Sequence, residues 1–227
     1  VKIVCIARTL NEERFIAQFC AAYGFCDLIL IADGGSDDRT VEIARTFANV
    51  KIRRFEGRVN LPDGSFMNPE PAHVNFLLDW AEQEHAPDWL VMDGVDCWPN
   101  HHLQRAARSL LEQAVQQDKD AALAYRLYLW GENEYLPKIN EPGPALWAWR
   151  PDRIDCHTDE SYTTFFDAVF PGPEPGRAYA IDPPAVCLHH WEPESKACRY
   201  AAWGHPQVAI PGGIYWPPAP LPEWARG

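Results

Sequence analysis

Positive charge is scarce in this chain: 20 lysines and arginines stand against 32 aspartates and glutamates, a formal net charge of −12. A surface of that sign opposes binding to nucleic-acid backbones and to anionic membranes, both of which need clustered cations. The short basic group Arg53, Arg54 and Arg58 reads as a solvated strand edge or, alternatively, as a phosphate contact. Paired cysteine spacing is missing as well. The seven cysteines include no Cys-x-x-Cys, which excludes the common zinc and redox motifs, and an odd unpaired count suits a reducing compartment. No apolar run is long enough to span a bilayer, and the first residues read as a strand rather than as a signal peptide. A cytoplasmic location is therefore expected. With 227 residues and no evident linker, 1–227 is read as one domain with room for a sizeable core.

Strand and helix patterns alternate through the first half, which implies an α/β fold with a mostly parallel sheet flanked by helices. Lys2 to Ala7, Leu28 to Ala32 and Val50 to Phe55 read as strands. Asn11 is expected to cap a helix on which Phe15, Ile16, Phe19, Cys20 and Tyr23 recur at core-facing spacing. Glu56 to Pro71, interrupted by Gly57, Pro62, Gly64, Pro69 and Pro71, reads as a loop beside the ligand crevice. After Pro99, Leu103, Ala106, Ala107, Leu110, Leu111, Ala114 and Val115 mark a long amphipathic helix, and Leu123 to Trp130 alternates as a two-faced strand. Trp130, Trp147, Trp149, Trp191, Trp203, Trp216 and Trp224 crowd the second half, where indoles suit sugar faces and cores equally. The segment from Pro211 to Gly227, with five prolines, reads as an extended arm.

Three segments carry chemistry. Ile29 to Thr40 runs from an apolar strand through Asp33, Gly34, Gly35 and Ser36 into a helix start. There Asp33 projects into the crevice at a strand's carboxyl end, the glycines allow close backbone approach, and Ser36 or Asp37 is placed to cap the helix. A second strand ends in Asp93-Gly94-Val95-Asp96, two acids whose repulsion a cation or a shared proton would relieve. Later, His189 and His190 follow a short apolar run, and neutral imidazole is a common metal ligand.

Together with the opening Val1 to Glu13, which contains Arg8-Thr9-Leu10-Asn11-Glu12, the order of these segments resembles the family 2 glycosyltransferases, whose fold is GT-A. The resemblance is good from Val1 to about Pro99 and thin afterwards. It rests on an opening strand followed by Asn-Glu, an Asp-x-Gly-Ser-x-Asp-x-Thr turn at Asp33 to Thr40, and Asn75 ahead of an Asp-x-Asp type signature at Asp93 to Asp96. It implies transfer of a sugar from a nucleoside-diphosphate donor to a saccharide or small-molecule acceptor. Ala7, Arg8, Thr9, Glu12, Asp33, Gly34, Asn75 and Asp93 would line the donor site, with Asp33 reading the base or ribose. Asp93, Asp96 and His190 or His189 would hold manganese or magnesium. The implied architecture has a nucleotide-sugar-binding half (1–99), an acceptor half (100–210) and a proline-rich tail (211–227).

The signature departs from the family at Val95, where a metal-binding carboxylate is usual. Either Asp96 takes the ion, helped by the freedom of Gly94, or metal binding is weak or lost. Val95→Asp is expected to restore the common signature if the turn has the family's geometry. An inverting transferase also needs a general base. Asp159 and Glu160, in the first turn of a helix that Thr158 is placed to cap, are the candidates, with Asp167 and Glu132 as alternatives. A non-catalytic nucleotide- or sugar-binding protein with a degenerate site is the other reading. A sugar nucleotidyltransferase is disfavoured because no glycine- and arginine-rich loop follows Ala7.

Overall fold

Val4 to Ala7, at the heart of the first strand, have no exposed surface, as befits a strand with neighbours on both sides and helices on both faces. The computed structural model describes residues 1–60, 66–130, 134–135, 145–158, 173–174, 176–191 and 219–220. The chain runs β1 (Ile3–Thr9), α1 (Ile16–Ala22), β2 (Leu28–Asp33), α2 (Thr40–Ala44) and β3 (Val50–Arg54). The hairpin strands β4 (Val59–Asn60) and β5 (Phe66–Met67) precede α3 (Glu70–His85), β6 (Trp89–Met92), β7 (Cys97–Pro99) and α4 (His101–Gln116). Then come β8 (Ala121–Trp130), β9 (Glu134–Tyr135), β10 (Ala145–Trp149), β11 (Ala178–Trp191) and β12 (Ala219–Pro220).

The main sheet has the order β12-β9-β8-β10-β6-β1-β2-β3, with β11 paired to both β8 and β7. Its centre is parallel: β1 pairs with β2 and β6, and β2 with β3. Only β10 runs against β6 and β8 beside this centre. The chain winds outward from β1 to β3 and then returns to β6 on the other side of β1. That reversal creates a switch point, where α/β sheets open a ligand crevice at the carboxyl ends of the strands. Thr9 and Asp33 lie side by side at this edge.

Period two divides β1 between the two faces. Ile3, Cys5 and Ala7 pack with Phe19 of α1, Tyr23 just after it, and Leu103 and Leu111 of α4, whereas Val4 and Ile6 pack with Val74, Leu77, Leu78 and Trp80 of α3. Full burial of such side chains contributes about 1.5–3 kcal/mol each. Trp147 and Trp149 are 1% exposed and belong to these cores. The side chains of Trp130 and Trp191, and all of Trp203, Trp216 and Trp224, lie outside the described residues. The six cysteines among the described residues are free and buried, and none of the described helices is long and apolar enough to cross a membrane.

Several local expectations need correction. Asn11 does not cap α1, which begins only at Ile16 and has no side-chain cap. Asn11 instead takes a left-handed φ of 55°, and its Oδ1 accepts from the Asp37 N–H at 2.9 Å. The Glu12 N–H donates to Thr40 Oγ1 (2.7 Å) and the Glu13 N–H to Asp38 Oδ2 (3.0 Å). The polar residues after β1 thus tie down the loop after β2, so each loop satisfies the other's backbone. Ser36 and Asp37 do not cap α2, since Asp38 Oδ1 accepts the Thr40 N–H at 2.9 Å. Pro71 does not break structure either: it sits in the first turn of α3, where a missing N–H costs nothing. Arg53 forms a two-bond ion pair with Glu84 at 2.7 Å and lies over Trp80, which makes it part of a solvated edge.

Candidate active site

At the end of β2, Asp33 is 6% exposed and folds its carboxylate back over its own turn. It accepts the Ser36 hydroxyl (2.5 Å), the Ser36 N–H (3.1 Å) and the Gly35 N–H (3.1 Å). Gly35 has φ +101°, a conformation that glycine adopts without strain. The missing side chain of Gly34 matters for a different reason. A Cβ there would sit 2.0 Å from Asn68 Nδ2, the group that donates to the Gly34 carbonyl at 3.2 Å. Two buried polar atoms at this edge, Thr9 Oγ1 and Asn68 Oδ1, have no hydrogen-bond partner among the described residues. Leaving such atoms unpaired costs about 1–3 kcal/mol each, which a bound polar ligand would relieve.

Of the other residues expected around the donor, Ala7 is wholly buried in the core. Arg8 reaches across to Glu70 at the start of α3 and feels the charge of Asp96. The backbone of Glu12 is held by Thr40. Asn75 spends its amide elsewhere: Nδ2 donates to the Thr158 carbonyl (2.8 Å) and Oδ1 accepts the Thr158 N–H (3.0 Å). It thereby pins the chain just ahead of Asp159 and Glu160. Those two acids, with Asp167 and Glu132, lie outside the described residues.

The acid pair after β6 splits into two roles. The Asp93 side chain is 1% exposed. Its Oδ1 accepts from Arg126 Nη2 at 2.7 Å, while its Oδ2 accepts the Tyr23 hydroxyl and faces the Cys187 thiol at 3.6 Å. Burial, with Asp93 beside it, pushes the Tyr23 phenol well above its ordinary range, so it stays a proton donor. Val95 is 3% exposed within the core. Asp96 alone faces the late histidines. Its Oδ2 lies 3.2 Å from His189 Nε2, and its carbonyl accepts the His190 N–H at 2.7 Å. His190 itself stacks on Trp98, with centroids 3.8 Å apart, and burial lowers its imidazole to about 4. The structure therefore brings Asp96 and His189 together and leaves the His190 ring outside that pair.

The residues fit a divalent ion in a limited way. Among the described residues no group of three His, Cys, Asp or Glu side chains forms a ligand cluster. Asp96 and His189 nevertheless supply two donors 3.2 Å apart, and magnesium-type ions are commonly held by one or two side chains plus substrate phosphates. Tyr23 and Arg126 were not singled out by the sequence. Tyr23 reads there as packing, although a tyrosine ending an apolar helical stripe needs a partner for its hydroxyl. The hollow of about 560 Å³ lined by Asp120, Arg153, Glu174 and Arg177 lies at the opposite, amino-terminal end of the sheet, where Arg177 already grips Asp120 with two bonds of 2.7 Å.

A mixed, mostly parallel sheet with this switch point, and with carboxylates at the ends of β2 and β6 on either side of β1, has the architecture of a GT-A-type α/β fold. The chain has the fold of family 2 glycosyltransferases. Staphylococcus aureus TarS matches it with a TM-score of 0.57 at 16% identity, over 92% of this chain and 40% of that one. The 1–349 piece of TarS also gives a TM-score of 0.57, at 15% identity, over 84% of this chain and 60% of that one. The chain thus spans less than two thirds of either TarS structure. Glucosyl-3-phosphoglycerate synthase from Mycobacterium tuberculosis, in complex with Mn2+, uridine diphosphate and phosphoglyceric acid, gives a TM-score of 0.53 at 14% identity, over 97% of this chain and 87% of that one. No protein-family model matches the sequence, and no curated protein matches it.

Proposed function

We propose that this chain transfers a glycosyl group from a nucleoside-diphosphate sugar to an acceptor hydroxyl. The observation that carries this reading is the pairing of Asp96 with His189, one strand from the Thr9–Asp33 edge, at the switch point of a GT-A-type sheet. The complex of the mycobacterial synthase with Mn2+ and uridine diphosphate supports the choice of ligands.

In this reading the nucleoside lies over Gly34, where Thr9 Oγ1 and Asn68 Oδ1 await partners and Asp33 is held in place by Gly35 and Ser36. Arg8 faces the donor phosphates from the end of β1. Asp96 and His189 would hold a manganese or magnesium ion, which when bound offsets the charge that builds on the departing diphosphate. Asp93 contributes from behind the site, held there by Tyr23 and Arg126. The acceptor oxygen attacks the anomeric carbon as the bond to the diphosphate breaks. Its proton passes to a carboxylate, with Asp159 or Glu160, launched from the Asn75-pinned Thr158, as the candidates.

The burial of Val95 supports a second reading, in which the chain binds the donor without turning it over. Release of nucleoside diphosphate from a panel of sugar donors, with and without Mn2+ and with saccharide or small-molecule acceptors, separates the two. Release by the wild-type protein that Asp96→Ala abolishes supports transfer. Tight donor binding with no release supports the binding protein.

A further inference from the structure

The first acid of the signature is not placed as a ligand. Both Asp93 oxygens are filled from three elements: Arg126 of β8, Tyr23 at the end of α1, and Cys187 of β11. With its side chain 1% exposed, no oxygen faces the crevice. A buried ion pair adds little net stability, because desolvation offsets most of its attraction, and its best-attested use is to fix one arrangement among several.

The turn it anchors has little freedom. Val95 is set into the core, the Cys97 N–H closes onto the Gly94 carbonyl at 2.8 Å, and the His190 N–H closes onto the Asp96 carbonyl at 2.7 Å. A Cβ on Gly94 would stand 2.8 Å from Asp96 Oδ1, so the carboxylate of Asp96 lies folded against this turn. Whatever fixes Asp93 fixes where Asp96 meets His189.

We propose that Arg126 and Tyr23 are positioning residues for the Asp96–His189 ion seat, acting through Asp93. The proposal rests on the reading of that pair given above. It makes the seat, formed by the β6–β7 turn and β11, depend on β8 and the end of α1 as well, so the ion's affinity is set partly by residues that never touch it. Groups bonded directly to a metal ligand typically change its affinity by about 10- to 100-fold, and Arg126 and Tyr23, which act one step further out through Asp93, are expected to change it less.

The test measures Mn2+ binding by electron paramagnetic resonance in the presence of uridine diphosphate, alongside calorimetry of uridine diphosphate without metal and a thermal melt. Arg126→Lys keeps the charge but loses the planar fork. It is expected to raise the Mn2+ dissociation constant by about threefold or more, below the roughly 10- to 100-fold typical of groups bonded directly to a metal ligand, while leaving metal-free nucleotide affinity within twofold. Tyr23→Phe keeps the packing and removes one donor to Asp93, and it is expected to shift Mn2+ binding in the same direction by a smaller factor. If Arg126→Lys does not fold, Tyr23→Phe decides alone. Unchanged Mn2+ affinity in the folded variants overturns the proposal, as does an equal loss of metal-free nucleotide binding, which would mark a general structural role. Wild-type protein that binds uridine diphosphate but takes up no Mn2+ overturns the ion seat itself, before any variant is compared.

Discussion

Val95 shows what a single residue's surroundings change. Judged by spacing, Val95→Asp restores a familiar signature. Judged by position, it buries a carboxylate among Cys97, Leu103 and their neighbours in the core. An uncompensated buried charge costs roughly 3–5 kcal/mol. Val95→Asp is therefore expected to lower the melting temperature sharply with no gain in Mn2+ affinity, and a stable variant that binds Mn2+ more tightly would show that the turn can reorient. Asp33→Ala removes three acceptor contacts from its turn. It is expected to weaken nucleotide binding at least about tenfold, since hydrogen bonds to a charged group contribute roughly 1.5–3 kcal/mol. Calorimetry that finds the affinity unchanged removes Asp33 from the site. His73 gives a pH dependence: it is 2% exposed, and burial, then the nearby Arg8 charge, lowers it to about 4. Between that value and the unfolded value near 6.5, the unfolded chain binds more protons, so stability is full above about pH 6.5 and falls as pH drops toward 4. The loss attributable to His73 is about 3 kcal/mol. Urea midpoints at pH 7 and pH 4.5 should differ accordingly, and less so in His73→Gln.

At the scale of elements, legibility followed periodicity. The long helix after Pro99 and the strand from Leu123 to Trp130 carry a strong pattern, and α4 and β8 lie where it points. The segment after β1 departs from its sequence pattern because Asn11, Glu12 and Glu13 satisfy a distant loop rather than the next helix, and no local signal distinguishes the two uses of a polar side chain. Asn75 is a related case: its spacing suggests a donor contact, but its amide pairs with the Thr158 backbone 83 residues away. Asn100 joins local and distant roles. Its Oδ1 caps α4 at the Leu103 N–H (3.0 Å), while its Nδ2 donates to the Pro184 carbonyl at 2.8 Å. Asn100→Ala thus removes a helix cap and a tie to β11 together, and it is expected to cost about 2 kcal/mol in urea unfolding. A loss near zero would mean that water replaces both contacts.

For the whole molecule, the order of strand-end motifs was legible because a parallel sheet converts chain order into spatial order: β2, β1 and β6 bring Asp33, Arg8 and the Asp93–Asp96 turn to one edge. The separation of Asp93 from Asp96 was not legible, since it depends on Tyr23 and Arg126, contributed by elements 70 and 33 residues distant. The central claim is that this edge binds a nucleoside diphosphate together with a divalent ion. Calorimetric titration of the wild-type protein with uridine diphosphate, in the presence and absence of Mn2+, tests it most directly. The account predicts saturable binding that Mn2+ tightens at least about tenfold, a gain of about 1.4 kcal/mol or more. No binding of uridine diphosphate, nor of the adenine, guanine, cytosine or thymine nucleoside diphosphates under the same conditions, would contradict it.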